Sequence, residues 1–191
     1  SEDELTKLIS ETNAQVQKLE QRKNELSSQL NALKDTADKN EKAAEIAKQN
    51  AQTNGILSGR LAATGEGVVI RISQGSKQKI DSAILFTLLE ELRNSGAEVI
   101  EINNVRVVTS TYISGTAGSL VCDGTKLKSP FTIRAIGDSD NLQNAVNLAG
   151  GVGSRLKVKY GATVSVSPSD KVMIKSTRQA PQYTYAHVIG Q

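Results

Sequence analysis

Tryptophan is absent from this chain, and cysteine and histidine occur once each. A lone cysteine, Cys122, forbids an internal disulfide. One Cys and one His cannot supply the convergent ligands of a zinc-type site, and no nucleophile–base pair can be assembled from them. The aromatics are four Tyr and two Phe, with no cluster of them among the basic residues. Stacking on nucleic-acid bases therefore has no platform. Long apolar runs are missing too. The longest uncharged stretch, Val107 to Cys122, is rich in Thr, Ser and Gly, whereas a spanning helix needs ~20 mostly apolar residues. Composition points away from catalysis, metals, cofactors and nucleic acid.

A seven-residue repeat is present instead, over residues 5 to 51. Its a positions are Ile9, Val16, Lys23 and Leu30, and its d positions are Leu5, Thr12, Leu19, Leu26 and Leu33. This 3-4 spacing is a coiled-coil seam, because 3.5 residues per turn keep one apolar stripe facing a partner helix. β-Branched a with Leu at d favours a parallel pair, and Lys23 at a restricts oligomer choice at a cost in stability. Beyond Leu33 the seam thins to Ala37, Asn40, Ala44, Ala47 and Ala51, so the helix is expected to continue there with looser pairing. The expected interface is Leu5, Ile9, Val16, Leu19, Leu26, Leu30 and Leu33, on a helix roughly 70 Å long at ~1.5 Å per residue. The competing reading is a helix that folds back on its own domain or stays single.

Four segments are expected: a coiled-coil stalk over 1–53, a linker over 54–66, an α+β domain over 67–178 and a flexible tail over 179–191. Asn54-Gly55 reads as the helix stop. Val68 to Ile72 alternates like a strand, and Ile84, Leu85, Leu88, Leu89 and Leu92 fall at helical spacing between an Asp81 cap and a Gly96 stop. Glu98 to Asn103 is a strand, turned by Asn103-Asn104 into a second from Arg106 to Thr111. Asp123-Gly124 marks a further hairpin between Ser119–Cys122 and Thr125–Lys128. Phe131 to Ile136 leads through Gly137-Asp138 into a helix carrying Leu142, Ala145, Val146 and Ala149. A helical turn follows Gly150-Gly151, then Thr163 to Val166 and Lys171 to Ile174, separated by a turn at Pro168-Ser169-Asp170. With the hairpins set aside, two split strand–helix–strand halves predict a ferredoxin-like sandwich with an inserted β-hairpin region.

Charge divides the same way. Residues 1–53 carry a net of −2 and residues 54–191 a net of +5, with six basic residues between Arg155 and Arg178 against Asp170 alone. A basic edge of this kind suits an anionic membrane or cell-wall surface, or is simply a solvated face. Cys122 alternates with Leu120 as a small buried residue, and His187 falls in the tail. Glu90 and Glu91 belong to the solvated side of their helix. Gly150-Gly151-Val152-Gly153-Ser154-Arg155 lacks the Lys-Ser/Thr ending of a phosphate loop and follows a helix. Ile136-Gly137-Asp138 is better placed for an anion, at a strand-to-helix junction, although Asp138 competes as the cap.

Three stretches carry a resemblance when taken in order: Gly65-Glu66-Gly67-Val68-Val69-Ile70, the helix end Gly96-Ala97-Glu98, and Ala135-Ile136-Gly137-Asp138. Together with Arg106 and the strand Pro130 to Arg134, they resemble the bacterial YlxW/YlxX-type family, domain of unknown function 881, over about residues 55 to 175. Asn104 departs from the pattern, since many members have Gly there. The resemblance implies a single-pass membrane anchor upstream of the coil and a domain on the extracytoplasmic side of a bacterial cell membrane. It also implies a role around the envelope or septum. No catalytic residues are established for the family. The expected protein is a non-enzymatic, membrane-tethered scaffold whose partners are a second copy or another coil helix, and envelope or division proteins. The rival is a ligand-sensing module that binds a small anion through Arg106, Arg134, Gly137 and Asp138.

Overall fold

The computed structural model describes residues 1–190. It divides into two units, Ser1–Ala51 and Gln52–Gln191. The first unit is helical from Glu2 onward, part of helix α1 (Glu2–Leu57), and every one of its residues is exposed. Glu2, Asp3 and Glu4 place negative charge in the first turn, where it offsets the positive end of the helix dipole. The apolar stripe expected to form a coiled-coil seam is exposed along its length, with Leu19 71% and Leu26 49% exposed.

The expected stop at Asn54-Gly55 is passed: α1 runs to Leu57. Gly55 is buried because the Leu61 side chain occupies the space a Cβ would need, its Cδ1 lying 2.5 Å from that position. The glycine is there for close approach, and its carbonyl accepts from Arg60 and Leu61 as the chain turns back. The expected linker over 54–66 is thus divided between the helix end, a tight turn and the first residues of strand β1 (Ala63–Ser73).

After β1 come α2 (Ser82–Asn94), β2 (Val99–Ile102) and β3 (Val105–Val107). A small hairpin sheet follows, from β4 (Ile113–Ser114), β5 (Leu120–Cys122) and β6 (Thr125–Leu127). The chain then continues through β7 (Phe131–Ile136), α3 (Ser139–Asn147), α4 (Val152–Val158) and β8 (Thr163–Ile174). The main sheet has the order β3-β2-β7-β1-β8 and is antiparallel throughout. Asn103 and Asn104 both take positive φ, 45° and 65°, which closes the β2–β3 turn without glycine. The turn expected at Pro168-Ser169-Asp170 does not form. Pro168 lies within β8 opposite Val68, which an edge strand tolerates because only one of its sides needs donors. The irregularity is a bulge in β8 instead: between the pairs Gly65–Val172 and Gly67–Ser169, Asp170 and Lys171 lie opposite Glu66 alone.

One face of the sheet makes the core. Val68, Ile70, Ile72, Ile100, Ile102, Ile133 and Ala135 alternate onto it and meet the apolar face of α2, with Leu142 and Val146 of α3 and Leu156 of α4. Asp81 caps α2 through Oδ1, which accepts from the Ile84 N–H at 2.9 Å. Its Oδ2 accepts from the Tyr160 hydroxyl at 2.8 Å. Burial and that bond to Asp81 push the Tyr160 phenol up to about 12. The other sheet face carries only a small apolar cluster of Val99, Ile136, Val172 and Ile174, against which Ile56 and Ala63 pack. The rest of that face is polar, and the candidate site lies there.

Candidate functional site

Three strands present one charged residue each to the polar face, in register. Glu101 of β2 is opposite Arg134 of β7 on one side and Arg106 of β3 on the other. The row Arg134–Glu101–Arg106 follows from the pleat, which sends alternate side chains of every strand to the same face. Glu101 is 3% exposed and Arg106 2% exposed, so charges are buried on a face that antiparallel sheets commonly leave to water. Two crossing segments account for the burial. Arg106 donates through Nη1 to the carbonyls of Leu61 (2.8 Å) and Ser176 (3.0 Å), and through Nη2 to that of Ile56 (3.0 Å). Its guanidinium therefore ties the end of α1, the turn after it and the segment after β8 to strand β3. Burial lowers the Arg106 pKa from its ordinary value, and the Glu101 charge offsets part of that.

Glu101 is held at both oxygens. Oε1 accepts from Arg134 Nη1 at 3.1 Å, and Oε2 accepts from the Ser176 hydroxyl at 2.5 Å. Arg178 continues the tie-down: its backbone N–H donates to the Gly59 carbonyl at 2.7 Å, its Nε donates to the Arg106 carbonyl at 3.0 Å, and its guanidinium pairs with Asp123 of the hairpin sheet. Arg178 is thus the last side chain shown anchoring the C-terminal segment among the described residues.

Beside the buried row the face opens into a cavity of about 660 Å³. Glu101, Arg134 and Ser176 form one wall, Val69 and Val172 add apolar surface, and Lys171 and Lys175 stand at its edge. That volume falls within the range of small-molecule sites.

The sequence-derived candidates are not gathered in one place. Arg106 and Arg134 share the row, but Arg106 is committed to three carbonyls and only Arg134 reaches the cavity. Gly137 and Asp138 sit at the β7–α3 junction and line no part of it. There the Gly137 N–H donates to the Glu66 carbonyl at 2.8 Å, and Asp138 Oδ1 accepts from the Asn141 N–H at 2.9 Å, capping α3. The Ser139 hydroxyl also donates to Glu66 Oε1 at 2.9 Å. Cys122 is fully buried, and burial pushes its thiol up. His187 is exposed, Gly151 opens α4, and Glu90 pairs with Arg93 along α2. Among the described residues no group of three His, Cys, Asp or Glu is placed to hold a metal. No helix among them is long and apolar enough to cross a membrane.

Sequence reasoning passed over Glu101 and Ser176, and took Lys171 and Lys175 only as part of the basic edge from Arg155 to Arg178. A signal for Glu101 was present: a single carboxylate between Ile100 and Ile102, with single arginines inside two other strands. Charges inside apolar strands carry a large desolvation cost unless paired, so they predict one another. Lys171 and Lys175 were legible as part of a basic run, but the expected turn at Pro168 hid that one strand, β8, carries them to this cavity.

The surroundings of the site match known proteins. Residues 50–187 match the family described as "Bacterial protein of unknown function (DUF881)". UPF0749 protein Rv1825 of Mycobacterium tuberculosis is 34% identical over 169 residues, 86% of this chain and 57% of that protein. UPF0749 protein YlxW of Bacillus subtilis is 30% identical over 126 residues, 61% of this chain and 54% of its own length. Its neighbour in name, YlxX, is 31% identical over 147 residues, 69% and 63% respectively. The chain thus spans little more than half the length of the first of these relatives. The crystal structure of an uncharacterized conserved protein from M. tuberculosis aligns with TM-score 0.66 and 35% identity, over 73% of this chain and 99% of that one. The expected YlxW/YlxX-type membership therefore holds: this chain belongs to the DUF881 family of bacterial proteins of unknown function.

Proposed function

We propose that this protein is a non-enzymatic scaffold of the bacterial cell envelope, tethered to the membrane by a segment upstream of Ser1 and tied to cell division. In this reading α1 pairs in parallel with α1 of a second copy and holds the α+β domain on the extracytoplasmic side. We assign that domain to the ferredoxin-like class. The order β2-β7-β1-β8, with α2 and α3 following β1 and β7, supports the assignment, and β3 and the β4–β6 sheet are additions to it.

A single observation carries the reading. Leu5, Ile9, Val16, Leu19, Leu26, Leu30 and Leu33 are between 47% and 71% exposed on a helix that buries no residue before Gly55. An apolar stripe this long is costly in water, and each leucine buried contributes ~1.5–3 kcal/mol. The occupant that suits it is a second copy, because the a and d pattern is self-complementary and of the type two-stranded coils favour. Sedimentation equilibrium tests the pairing. The wild-type chain should sediment as a dimer and Leu26→Glu/Leu30→Glu as a monomer, both retaining the α+β domain's unfolding transition. A wild-type monomer at high concentration would sink the scaffold reading.

A further inference from the structure

We infer that the cavity on the polar sheet face is a binding site for a phosphate monoester or diphosphate group attached to an uncharged body. Three cations reach it, Arg134, Lys171 and Lys175, against one carboxylate, Glu101. The balance is +2, which suits a dianion.

Roles follow from how each group is held. Glu101 is buried and uses its second oxygen on Ser176, so it engages Arg134 through Nη1 alone. That contact orients a planar guanidinium, suited to gripping two phosphate oxygens at once, whose Nη2 and Nε donate to no other protein group among the described residues. Lys171 and Lys175 have no carboxylate oxygen within 4.0 Å among the described residues, Asp170 included. Both ammonium groups are exposed, so neither is committed within the protein before an anion arrives. Val69, Val172 and Met173 supply the apolar surface on which the remainder of the ligand rests.

The wall is built rather than incidental. Ser176 closes the cavity because Arg106 holds its carbonyl and Glu101 holds its hydroxyl. The β8 register matters equally. The bulge at Asp170-Lys171 lets β8 resume its pairing with β1 at Val172, and Lys171 lines the same cavity as Arg134, two strands away. This site differs from the β7–α3 junction, where Asp138 itself occupies the helix N-terminus as its cap.

Such a group can belong to a soluble phosphoester or to a lipid headgroup, and the probes separate these sources. Full-length protein would be titrated calorimetrically with inorganic pyrophosphate. It would also be floated with phosphatidylcholine vesicles with and without one-fifth phosphatidic acid. Lys171→Gln/Lys175→Gln should weaken binding by on the order of tenfold or more, since charge-assisted contacts are lost. Lys157→Gln/Lys159→Gln on α4, outside the cavity, should leave it within about twofold, and both variants should unfold at the wild-type temperature. Arg134→Gln is the less clean variant, because it strips Glu101 of its partner. Heat with pyrophosphate supports a soluble ligand, and flotation with phosphatidic acid alone supports a headgroup. No binding of either probe overturns the inference, as does equal weakening by the α4 pair, which would mark diffuse surface charge. The Leu26→Glu/Leu30→Glu chain should bind as the wild type does, so the cavity and the scaffold reading fail separately.

Discussion

Replacing Arg106 by leucine is the sharpest probe of how the domain closes. The guanidinium makes three hydrogen bonds of 2.8–3.0 Å to the carbonyls of Ile56, Leu61 and Ser176. Bonds to charged groups contribute ~1.5–3 kcal/mol each, so the gross loss is about 5–9 kcal/mol. Two effects reduce it. The charge itself is disfavoured by burial, which is why the Arg106 pKa is lowered, and carbonyls in surface-crossing segments regain water when freed. A net cost of about 3–5 kcal/mol remains, typical of removing one partner from a buried charged network. For a unit of this size that corresponds to a fall of about 10–15 °C in Tm. Calorimetry on the full chain reads it, with the domain transition separated from helix melting. A second readout is more specific. Ser176 loses its anchor, so trypsin should cut at Lys175 and Arg178 faster in Arg106→Leu than in the wild type. Arg106→Lys keeps the charge without the fork and should fall between the two. A Tm change below about 3 °C with unaltered cleavage would refute the argument that this residue ties the chain ends to β3.

Other outcomes can be set beside it. Gly67→Ala would drive a Cβ into the Ala135 carbonyl of the neighbouring strand and should destabilise the domain by about 1–3 kcal/mol in denaturant unfolding. Asp81→Ala removes the α2 cap and the partner of Tyr160 together, at a cost of about 1–3 kcal/mol by the same assay. Tyr160, raised to about 12, should contribute stability that is complete below the unfolded value near pH 10 and is lost as pH rises through about 12. Tyr160→Phe should flatten that alkaline slope in pH-dependent unfolding curves and remove the highest-pH step of a spectrophotometric titration.

Much of this chain is legible before folding, and the reason is locality. The α1 helix, the Asp81 and Asp138 caps and the Asp123-Gly124 turn each depend on residues within a few positions of one another. Repeats and capping side chains announce themselves in such windows, and the three family stretches do so in the same way. Gly55 shows where locality ends. By composition Asn54-Gly55 is a stop signal, yet Leu61, folded back against the helix, makes the same glycine a contact and lets the helix pass. Pro168 repeats the lesson, since whether a proline breaks a strand depends on whether its far side has a neighbour, and that is a property of strand order.

The candidate site is almost wholly a product of tertiary structure. Arg134, Glu101 and Lys171 are separated by dozens of residues and line one cavity because β7 inserts between β1 and β2 while β8 pairs with β1 on both sides of its bulge. Arg106 and Arg134 look equivalent in the sequence, each a basic residue within a strand. Only the crossing of residues 56–61 and 176–178 over one end of the sheet separates them, seating Arg106 under backbone carbonyls and leaving Arg134 at the cavity. The sequence by itself determined the long helix with its apolar stripe, the α+β class and the family, because periodicity and local turn chemistry suffice for these. Which charges are buried as struts and which stand free to meet a ligand was decided by long-range strand pairing, because desolvation depends on what covers a side chain and not on its neighbours in the chain.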